Sequence, residues 1–260
     1  MAGSRTACLA AALALALVAG CGGDDEDGTP AASAPTGTAT PTATPTATAT
    51  PSQGKEPPAP PAPKSVRFRA TDGEPVKARY TRAGRNAPGV VLLHQIDGGM
   101  EQWEPLIPYL HEAGFATLAY QSRRSLNEAE RLPDAMGALR WLRARPDVDP
   151  QRLALVGASV GASTAVLAMT TKARETVDAA VALSPPDSVD IWALQDDDRY
   201  RPHDVLFVSD DSEASSAEGM MDGAVRSEII RSEGPGHGVV LLPEQGVRDA
   251  LLAWLDERVR

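Results

Sequence analysis

Cysteine is nearly absent from this sequence. Its 260 residues contain only Cys8 and Cys21, both close to the start of the chain. If that start is an export signal, as argued below, the mature chain keeps no pair of cysteines and forms no internal disulfide. The scattered histidines and aspartates, with no cysteine beyond residue 21, also argue against a zinc site. The sequence therefore predicts a domain that is stabilised by its apolar core and binds no metal.

Positive charge is also scarce. The net charge is −10; Arg5 contributes one positive charge and residues 22–63 contribute four negative ones, which leaves −7 for Lys64–Arg260. An acidic domain is a poor nucleic-acid binder. It is equally unsuited to lie on an anionic membrane through its own surface. We therefore expect no nucleic-acid partner, and any membrane association has to come from another part of the chain.

The first twenty residues are typical of a signal peptide. Arg5 precedes an Ala/Leu run over Thr6–Val18, which is too short to span a bilayer comfortably. The run ends in Val18-Ala19-Gly20-Cys21, which resembles the bacterial lipobox, where the signal is cleaved before a cysteine that carries acyl chains. An ordinary secretory signal with an incidental cysteine is the alternative. The lipobox interpretation predicts lipidation at Cys21, membrane attachment and a location in the bacterial cell envelope, either on the outer face of the cytoplasmic membrane or in the periplasm or outer membrane.

Large apolar side chains are missing from residues 21–63. This segment consists of four consecutive acids, then Thr-Pro and Ala-Thr repeats, then a Pro/Ala run. Such a composition cannot build a core and favours an extended, disordered tether. The remaining residues, 64–260, are enough for one folded domain of ordinary size.

Beyond residue 63, short apolar runs alternate with amphipathic stretches. The predicted strands are a hairpin over Val66–Ala70 and Val76–Tyr80, followed by Gly89–Leu93, Phe115–Tyr120, Leu153–Val156, Ala179–Leu183, Val205–Val208 and Ser227–Ile230. The predicted helices are Trp103–Leu110, Leu132–Arg145, Val160–Met169 and Val247–Val259, with Asp149-Pro150 in a loop. This alternation predicts an α/β fold: a mostly parallel sheet with helices on both faces. Sites in such sheets lie beyond the carboxyl ends of the strands.

A nucleophile motif stands where one of these strands meets a helix. Gly157-Ala158-Ser159-Val160-Gly161 matches G-x-S-x-G, and its small residues allow a very tight strand-to-helix turn with Ser159 at the tip. The alternative is a glycine-rich turn with an incidental serine. In this context the motif predicts a nucleophilic Ser159 beside the N–H groups of a helix N-terminus.

A serine nucleophile needs a base and a carboxylate. His237 follows the last predicted strand in a glycine-flanked loop and is the candidate base. His94 is expected to support its own loop, His111 to lie on an exposed helix face, and His203 to be a loop residue. The acid is left open between Asp211 and Glu213, with Asp210 expected to stay near its strand and Asp187 as a distant further candidate. The oxyanion donors are expected to be the backbone N–H of Val160 and that of Gln95 or Ile96.

The order of Ser159, an acid after a later strand and His237 near the end resembles the α/β-hydrolase superfamily over roughly Lys64–Arg260. The absence of a long insertion between Leu183 and Val205 makes the chain most similar to the dienelactone-hydrolase or small-esterase branch. The resemblance implies an eight-stranded, mostly parallel sheet with one antiparallel strand near the start and little or no lid. It also implies hydrolysis through an acyl-enzyme without a cofactor. The chain departs from the family at Gln95, where its members commonly carry glycine.

These patterns together predict a membrane-tethered serine hydrolase that acts on a small-molecule ester or related acyl compound. Two alternatives remain open at this point. One is a peptidase of the same fold. The other is a lipid-anchored binding or envelope protein whose hydrolase site is degenerate, because a fold alone does not establish an activity.

Overall fold

The computed structural model describes residues 56–170, 177–196 and 199–259. The predicted signal peptide at residues 1–20, the predicted lipidation site Cys21 and most of the predicted tether lie outside the described residues. Within the described ranges, no helix has the length and apolar character needed to cross a membrane.

The described residues form one eight-stranded sheet in the order β1-β2-β4-β3-β5-β6-β7-β8. Its strands are β1 (Lys64–Arg69), β2 (Pro75–Thr81), β3 (Ala87–Leu93), β4 (Ala116–Tyr120), β5 (Val148–Ala158), β6 (Ala179–Leu183), β7 (Val205–Ser209) and β8 (Glu228–Arg231). Strand β2 runs antiparallel to both of its neighbours, β1 and β4, and the other pairs are parallel. The predicted sheet, including its one antiparallel strand near the start, is therefore confirmed.

Six α-helices lie within the described ranges: α1 (Ile107–Glu112), α2 (Glu128–Arg143), α3 (Val160–Thr170), α4 (Val189–Asp196), α5 (Ala214–Met221) and α6 (Gln245–Val259). The sequence prediction missed α4 and α5 and started α2 one turn too late, at Leu132. Helix α2 begins earlier because the Asn127 side chain accepts a hydrogen bond from the N–H of Glu130, at 3.2 Å, and caps the helix. Pro133 then lies inside the helix.

Two other predicted elements have different bounds in the structure. The predicted helix Trp103–Leu110 is divided into a 3-10 turn over Met100–Trp103 and the short helix α1. Asp149-Pro150, predicted to be a loop, belongs to strand β5, whose pairing with β3 shifts register between Ala87 and Gly89. This irregularity accommodates the proline, which has no N–H to donate to a neighbouring strand.

Apolar side chains cover both faces of the sheet. Alternate residues of β3 face opposite sides: Val91 and Leu93 belong to one core cluster, Val90 and Leu92 to the other. The first cluster includes side chains of α2 and α3, and the second includes side chains of α1 and α6. The parallel strands β3, β5, β6 and β7 consequently end at one edge of a sheet that is buried on both faces.

Candidate active site

Ser159 occupies the turn that joins β5 to α3. Its backbone has a φ of 53°, in the left-handed region that non-glycine residues seldom adopt. The N–H of Ser159 donates to the carbonyl of Leu183 at 2.9 Å, and its carbonyl accepts from the N–H of Ala162 at 2.7 Å. Such a conformation costs on the order of 1–3 kcal/mol, which the surrounding structure has to offset. The turn therefore has the strained geometry of a nucleophile elbow.

Two glycines make this turn possible because the chain passes very close to itself there. A Cβ at Gly157 would lie 2.2 Å from the carbonyl oxygen of Gly161. A Cβ at Gly161 would lie 2.3 Å from the carbonyl oxygen of Leu93, at the end of β3. Helix α3 thus starts in contact with two strand ends, which places its N-terminus beside Ser159.

His237 and Glu213 are in contact although 24 residues separate them. Nδ1 of His237 lies 2.5 Å from Oε1 of Glu213. His237 follows β8, and Glu213 follows β7 and directly precedes α5. An ionised glutamate can only accept, so Nδ1–H donates to it and Nε2 is left as the proton acceptor. The second carboxylate oxygen of Glu213 is buried without a hydrogen-bond partner in the described part of the chain.

The loop that carries His237 lies against the nucleophile turn. A Cβ at Gly238 would lie 3.3 Å from the Cβ of Ala158, the residue before Ser159. The N–H of Val239 donates to Oε1 of Gln95 at 2.8 Å, which ties the same loop to the end of β3. No hydrogen bond joins Ser159 to His237 within the described residues; in enzymes without substrate this contact is often long. The structure thus brings Ser159, His237 and Glu213 to one edge of the sheet.

The remaining acids have other partners. Asp211 has a side chain that is 94% exposed and lies 3.4 Å from Arg231. The carboxylate of Asp210 accepts backbone N–H groups, including that of Gly236 at 3.0 Å. Asp187 accepts from the hydroxyl of Ser216 at 2.9 Å. Of the acids considered from the sequence, Glu213 is the one that the structure brings to His237.

The candidate oxyanion donors differ in whether their N–H groups are available. Val160 is the first residue of α3, so its N–H has no partner within the helix. The N–H of Gln95 already donates to the side chain of Gln102, at 3.2 Å. The N–H of Ile96 donates to no group in the described part of the chain. The geometry therefore favours Val160 and Ile96 as donors, with the helix dipole adding positive potential.

His94 lies beneath this loop and is fully buried. Its Nδ1 donates to the carbonyl of Gln95 at 2.5 Å, and its Nε2 accepts from the N–H of Ser122 at 2.9 Å. Burial lowers the pKa of His94, so the ring is neutral in this position. Arg131, also buried, donates to the carbonyl of His94 at 2.7 Å. These contacts support the loop, and no sequence pattern pointed to Arg131.

The other two histidines lie elsewhere. His111 is in the last turn of α1, and His203 pairs with Val225 in an isolated β-bridge. Within the described ranges, no group of three or more His, Cys, Asp or Glu side chains is arranged to hold a metal ion. The groups described at this site are thus the hydroxyl of Ser159, the imidazole of His237, the carboxylate of Glu213 and the amide of Gln95.

The fold and this arrangement define the chain as a protein of the α/β-hydrolase fold class. A Pyrococcus furiosus esterase, Pf2001, superposes with a TM-score of 0.62 at 16% identity, over 76% of this chain and 93% of that one. A dienelactone hydrolase from Anabaena variabilis gives 0.58 at 17% identity, over 76% and 100%. The hydrolase GrgF from Penicillium sp. gives 0.64 at 14% identity, over 76% and 99%. At these identities the likeness establishes the fold.

Sequence comparisons match parts of the chain. Residues 119–218 match the prolyl oligopeptidase family, a range that includes Ser159 and Glu213 and ends before His237. The protein YfhR of Escherichia coli K12, described as uncharacterized, is 31% identical over 115 residues, or 40% of each chain. YfhR of Escherichia coli O157:H7 is 29% identical over 135 residues, or 48% of each. The chain spans about half the length of the curated relatives that it matches.

Proposed function

We propose that this chain is a serine hydrolase that cleaves an ester or related acyl bond of a small molecule through an acyl-enzyme on Ser159. The observation that carries the proposal is the His237–Glu213 contact of 2.5 Å beside a serine held in a left-handed turn. A serine hydroxyl is activated as a nucleophile by an adjacent imidazole that a carboxylate orients, and the strained turn presents that hydroxyl at the strand end.

In the proposed reaction, Nε2 of His237 accepts the hydroxyl proton as Ser159 attacks the acyl carbonyl. The N–H groups of Val160 and Ile96 bind the oxyanion that forms. His237 then donates the proton to the leaving alcohol oxygen, and the tetrahedral intermediate collapses to the acyl-enzyme. Water attacks this ester with His237 again as base, which releases the acid and restores Ser159. Glu213 keeps the imidazole in the required tautomer and stabilises its positive charge.

The proposal extends to the location of the enzyme. The apolar-small-small-Cys order at residues 18–21 supports lipidation of Cys21 and attachment to a bacterial membrane on the extracytoplasmic side. Residues 22–63 would then separate the hydrolase domain from the membrane surface. Incorporation of labelled palmitate into the wild type, but not into Cys21→Ser, is the expected result in a bacterial host. Equal labelling of both would contradict the anchor.

A peptidase is the second candidate because residues 119–218 match the prolyl oligopeptidase family. Both reactions use the same nucleophile and differ in the leaving group, so the substrate series decides between them. We expect p-nitrophenyl esters of short acids to be hydrolysed with kcat/KM well above that for peptide p-nitroanilides. The reverse order would favour the peptidase. Ser159→Ala, the control, should lower either activity by at least about 10³-fold.

A further inference from the structure

A groove lies at the edge of the sheet opposite Ser159. It has a volume of about 830 Å³ and is formed by residues 61–62 and the start of β1, the end of β2 and the loop before β3, and the end of α2 and the loop before β5. Strands β3 and β5 begin at this groove and end beside the nucleophile turn, and the seven residues of β3 span roughly 20 Å. The groove is therefore separate from the candidate active site, and its volume is typical of small-molecule sites.

The groove has an acid whose charge is already compensated. Asp147 accepts from the hydroxyl of Tyr80 at 2.8 Å and pairs with Nε of Arg82 at 3.0 Å. The carboxylate is only 13% exposed. Of the described residues that line the groove, Asp147 is the only acid, so no carboxylate is left there to neutralise a further cation.

Three more cations line the groove without a carboxylate partner in the described part of the chain: Lys64, Arg85 and Arg145. Arg145 lies 4.1 Å above the Trp141 ring and donates from Nε to the Trp141 carbonyl, at 3.2 Å. The N–H groups of its other two guanidinium nitrogens have no acceptor in the described part of the chain. Three neighbouring positive charges repel each other, and this occurs within a domain of net charge −7. An anion in the groove would relieve the repulsion.

We propose that this groove is a binding site for a phosphate-bearing anion with an attached apolar group. A phosphate monoester carries about two negative charges at neutral pH and several acceptor oxygens, which match a set of arginine and lysine donors. Val66, Trp141 and Pro146 give the groove an apolar wall for the rest of the ligand. The proposal does not depend on the hydrolase function.

The test uses phenyl phosphate as the soluble probe and phosphatidylglycerol vesicles as the lipid probe, each titrated into the Ser159→Ala protein at low salt. Phosphatidylcholine vesicles provide the neutral background. Arg85→Ala removes a groove cation that has no hydrogen bond or ion pair in the described part of the chain. Arg67→Ala is the matched control, because Arg67 is an exposed arginine of β1 outside the groove. Binding is followed by calorimetry.

We expect saturable binding that Arg85→Ala weakens about tenfold, the effect of losing one charged hydrogen bond, and that Arg67→Ala leaves unchanged. Binding of phenyl phosphate assigns the site to soluble phosphate compounds. Binding only to phosphatidylglycerol vesicles, with the same dependence on Arg85, assigns it to a lipid headgroup. Failure of both probes to bind, or equal weakening by the two substitutions, overturns the proposal.

A separate observation concerns Asp210, which connects the two loops of the candidate triad. Its Oδ1 accepts from the N–H and hydroxyl of Ser212, at 2.9 and 2.7 Å, and from the N–H of Glu213, at 3.1 Å. Its Oδ2 accepts from the N–H of Gly236, at 3.0 Å, the residue before His237. These hydrogen bonds, that from Gly236 foremost, lower the pKa of Asp210. One carboxylate thus bonds to both loops.

We infer that Asp210 is a positioning residue that sets the distance between Glu213 and His237, an inference that rests on the proposed hydrolase function. The loop that carries Glu213 is bound to Oδ1 of Asp210, and the loop that carries His237 is bound to Oδ2 of the same carboxylate. If Gly236 loses its acceptor, Val239 still donates to Gln95 on one side of His237 and Gly234 to Glu244 on the other, at 2.8 and 3.4 Å. Neither of these bonds involves the loop that carries Glu213. A displacement of about 1 Å in such a site costs roughly 10²-fold in rate.

The test compares Asp210→Asn with Asp211→Asn. Asn at position 210 keeps one acceptor oxygen but replaces the other by an NH₂ group, so it cannot bond to both loops. Asp211→Asn removes the same charge one residue away, where the side chain is exposed. Steady-state kinetics with a p-nitrophenyl ester gives kcat and KM separately, and thermal unfolding confirms that both variants are folded.

We expect Asp210→Asn to lower kcat about 10²-fold with KM within twofold of the wild type, and Asp211→Asn to leave both unchanged. Unchanged kcat in Asp210→Asn, in a wild type whose activity depends on Ser159, would refute the positioning role alone. A rise in KM at constant kcat would also refute it. Absence of Ser159-dependent activity in the wild type would refute the hydrolase function itself.

Discussion

At the scale of single residues, the candidate site depends on a carboxylate that reaches the imidazole from a different loop. Glu213 directly precedes α5, and its side chain is about one third exposed, yet Oε1 lies 2.5 Å from Nδ1 of His237. Its Oε2 is buried without a hydrogen-bond partner in the described part of the chain, so the contact of Oε1 with Nδ1 is the one that holds the carboxylate. An acceptor on Nδ1 orients the ring and leaves Nε2 to take the proton of the serine. That property is required of a triad acid.

We therefore expect Glu213→Gln to lower kcat by up to about 10⁴-fold, the loss seen when a triad acid is replaced by its amide. Glutamine has a similar shape but can place an NH₂ group against Nδ1, which favours the wrong tautomer. The matched control is Glu218→Gln, an exposed acid of α5 paired with Arg231. Steady-state kinetics with an ester substrate checks the prediction, and equal activity of the two variants would contradict it.

His94 provides a pH-dependence prediction. Burial lowers its pKa, so below about pH 6.5 the unfolded chain binds a proton that the folded chain does not. Stability contributed by the neutral ring is present above that pH and is lost as the pH falls, with a slope of at most about 1.4 kcal/mol per pH unit. Urea unfolding at pH 7.5 and 5.5 should show this loss, and His94→Gln should reduce the slope. An unchanged slope in the variant would count against it.

At the scale of elements, the nucleophile turn depends on close packing between α3 and the end of β3. A Cβ at Gly161 would meet the carbonyl oxygens of Leu93 and His94, at 2.3 and 2.8 Å. Backbone atoms cannot move aside as the end of a flexible side chain can. The helix start and the loop that carries Ile96 are therefore coupled through this contact.

Gly161→Ala should lower the free energy of unfolding by more than about 2 kcal/mol and reduce kcat, because α3 has to shift away from β3. Gly219→Ala in α5 is the matched control, since a Cβ there has nothing within 4 Å. Alanine in that helix should be neutral or stabilising by up to about 1 kcal/mol. Chemical denaturation of both variants checks the pair. Equal stability would show that the close contact is absent.

The elements also show what the sequence could and could not predict. Strands β3, β4, β6 and β7 were predicted to within two residues of their bounds because a parallel sheet covered on both faces requires unbroken apolar runs. Strand β5 is the exception, because it begins at Val148 and not at the predicted Leu153. Helix α2 started earlier than predicted although Asn127 and Glu130 have the spacing of a capping pair. Helices α4 and α5 have eight residues each, too few for a clear apolar periodicity.

Some of the candidate site residues could be proposed from the sequence and others could not. Ser159 and His237 stand in local patterns, a motif and a glycine-flanked loop. The choice between Asp211 and Glu213 depends on how the loop after β7 turns, which Asp210 fixes through hydrogen bonds to its own loop and to Gly236. No local pattern contains that information, because Gly236 is 26 residues away.

At the scale of the whole molecule, the described α/β-hydrolase-fold domain has two core clusters, one on each face of an eight-stranded sheet. Every residue of both clusters lies at or beyond Val66. Ser159, Glu213 and His237, on which the proposed chemistry depends, all lie in this part of the chain.

A fragment of residues 56–260 should unfold within about 2 °C of the longer chain of residues 22–260, because residues 22–55 contain no large apolar side chains that could add to a core. A contribution of 1 kcal/mol from that segment would change the Tm of a domain of this size by only a few degrees. Its kcat/KM for an ester should also match. Differential scanning calorimetry and kinetics on both forms provide the check. A Tm lower by ten degrees would mean that the preceding segment contributes to the fold.

The most direct test of the account is covalent labelling with a fluorophosphonate, which reacts with an activated serine. Intact-protein mass spectrometry should show one adduct on the wild type, with the modified peptide containing Ser159. Ser159→Ala should show none, and His237→Gln should be labelled far more slowly. A wild type that stays unlabelled while folded, or an adduct on a different serine, would contradict the claim that Ser159, His237 and Glu213 form a working nucleophilic site.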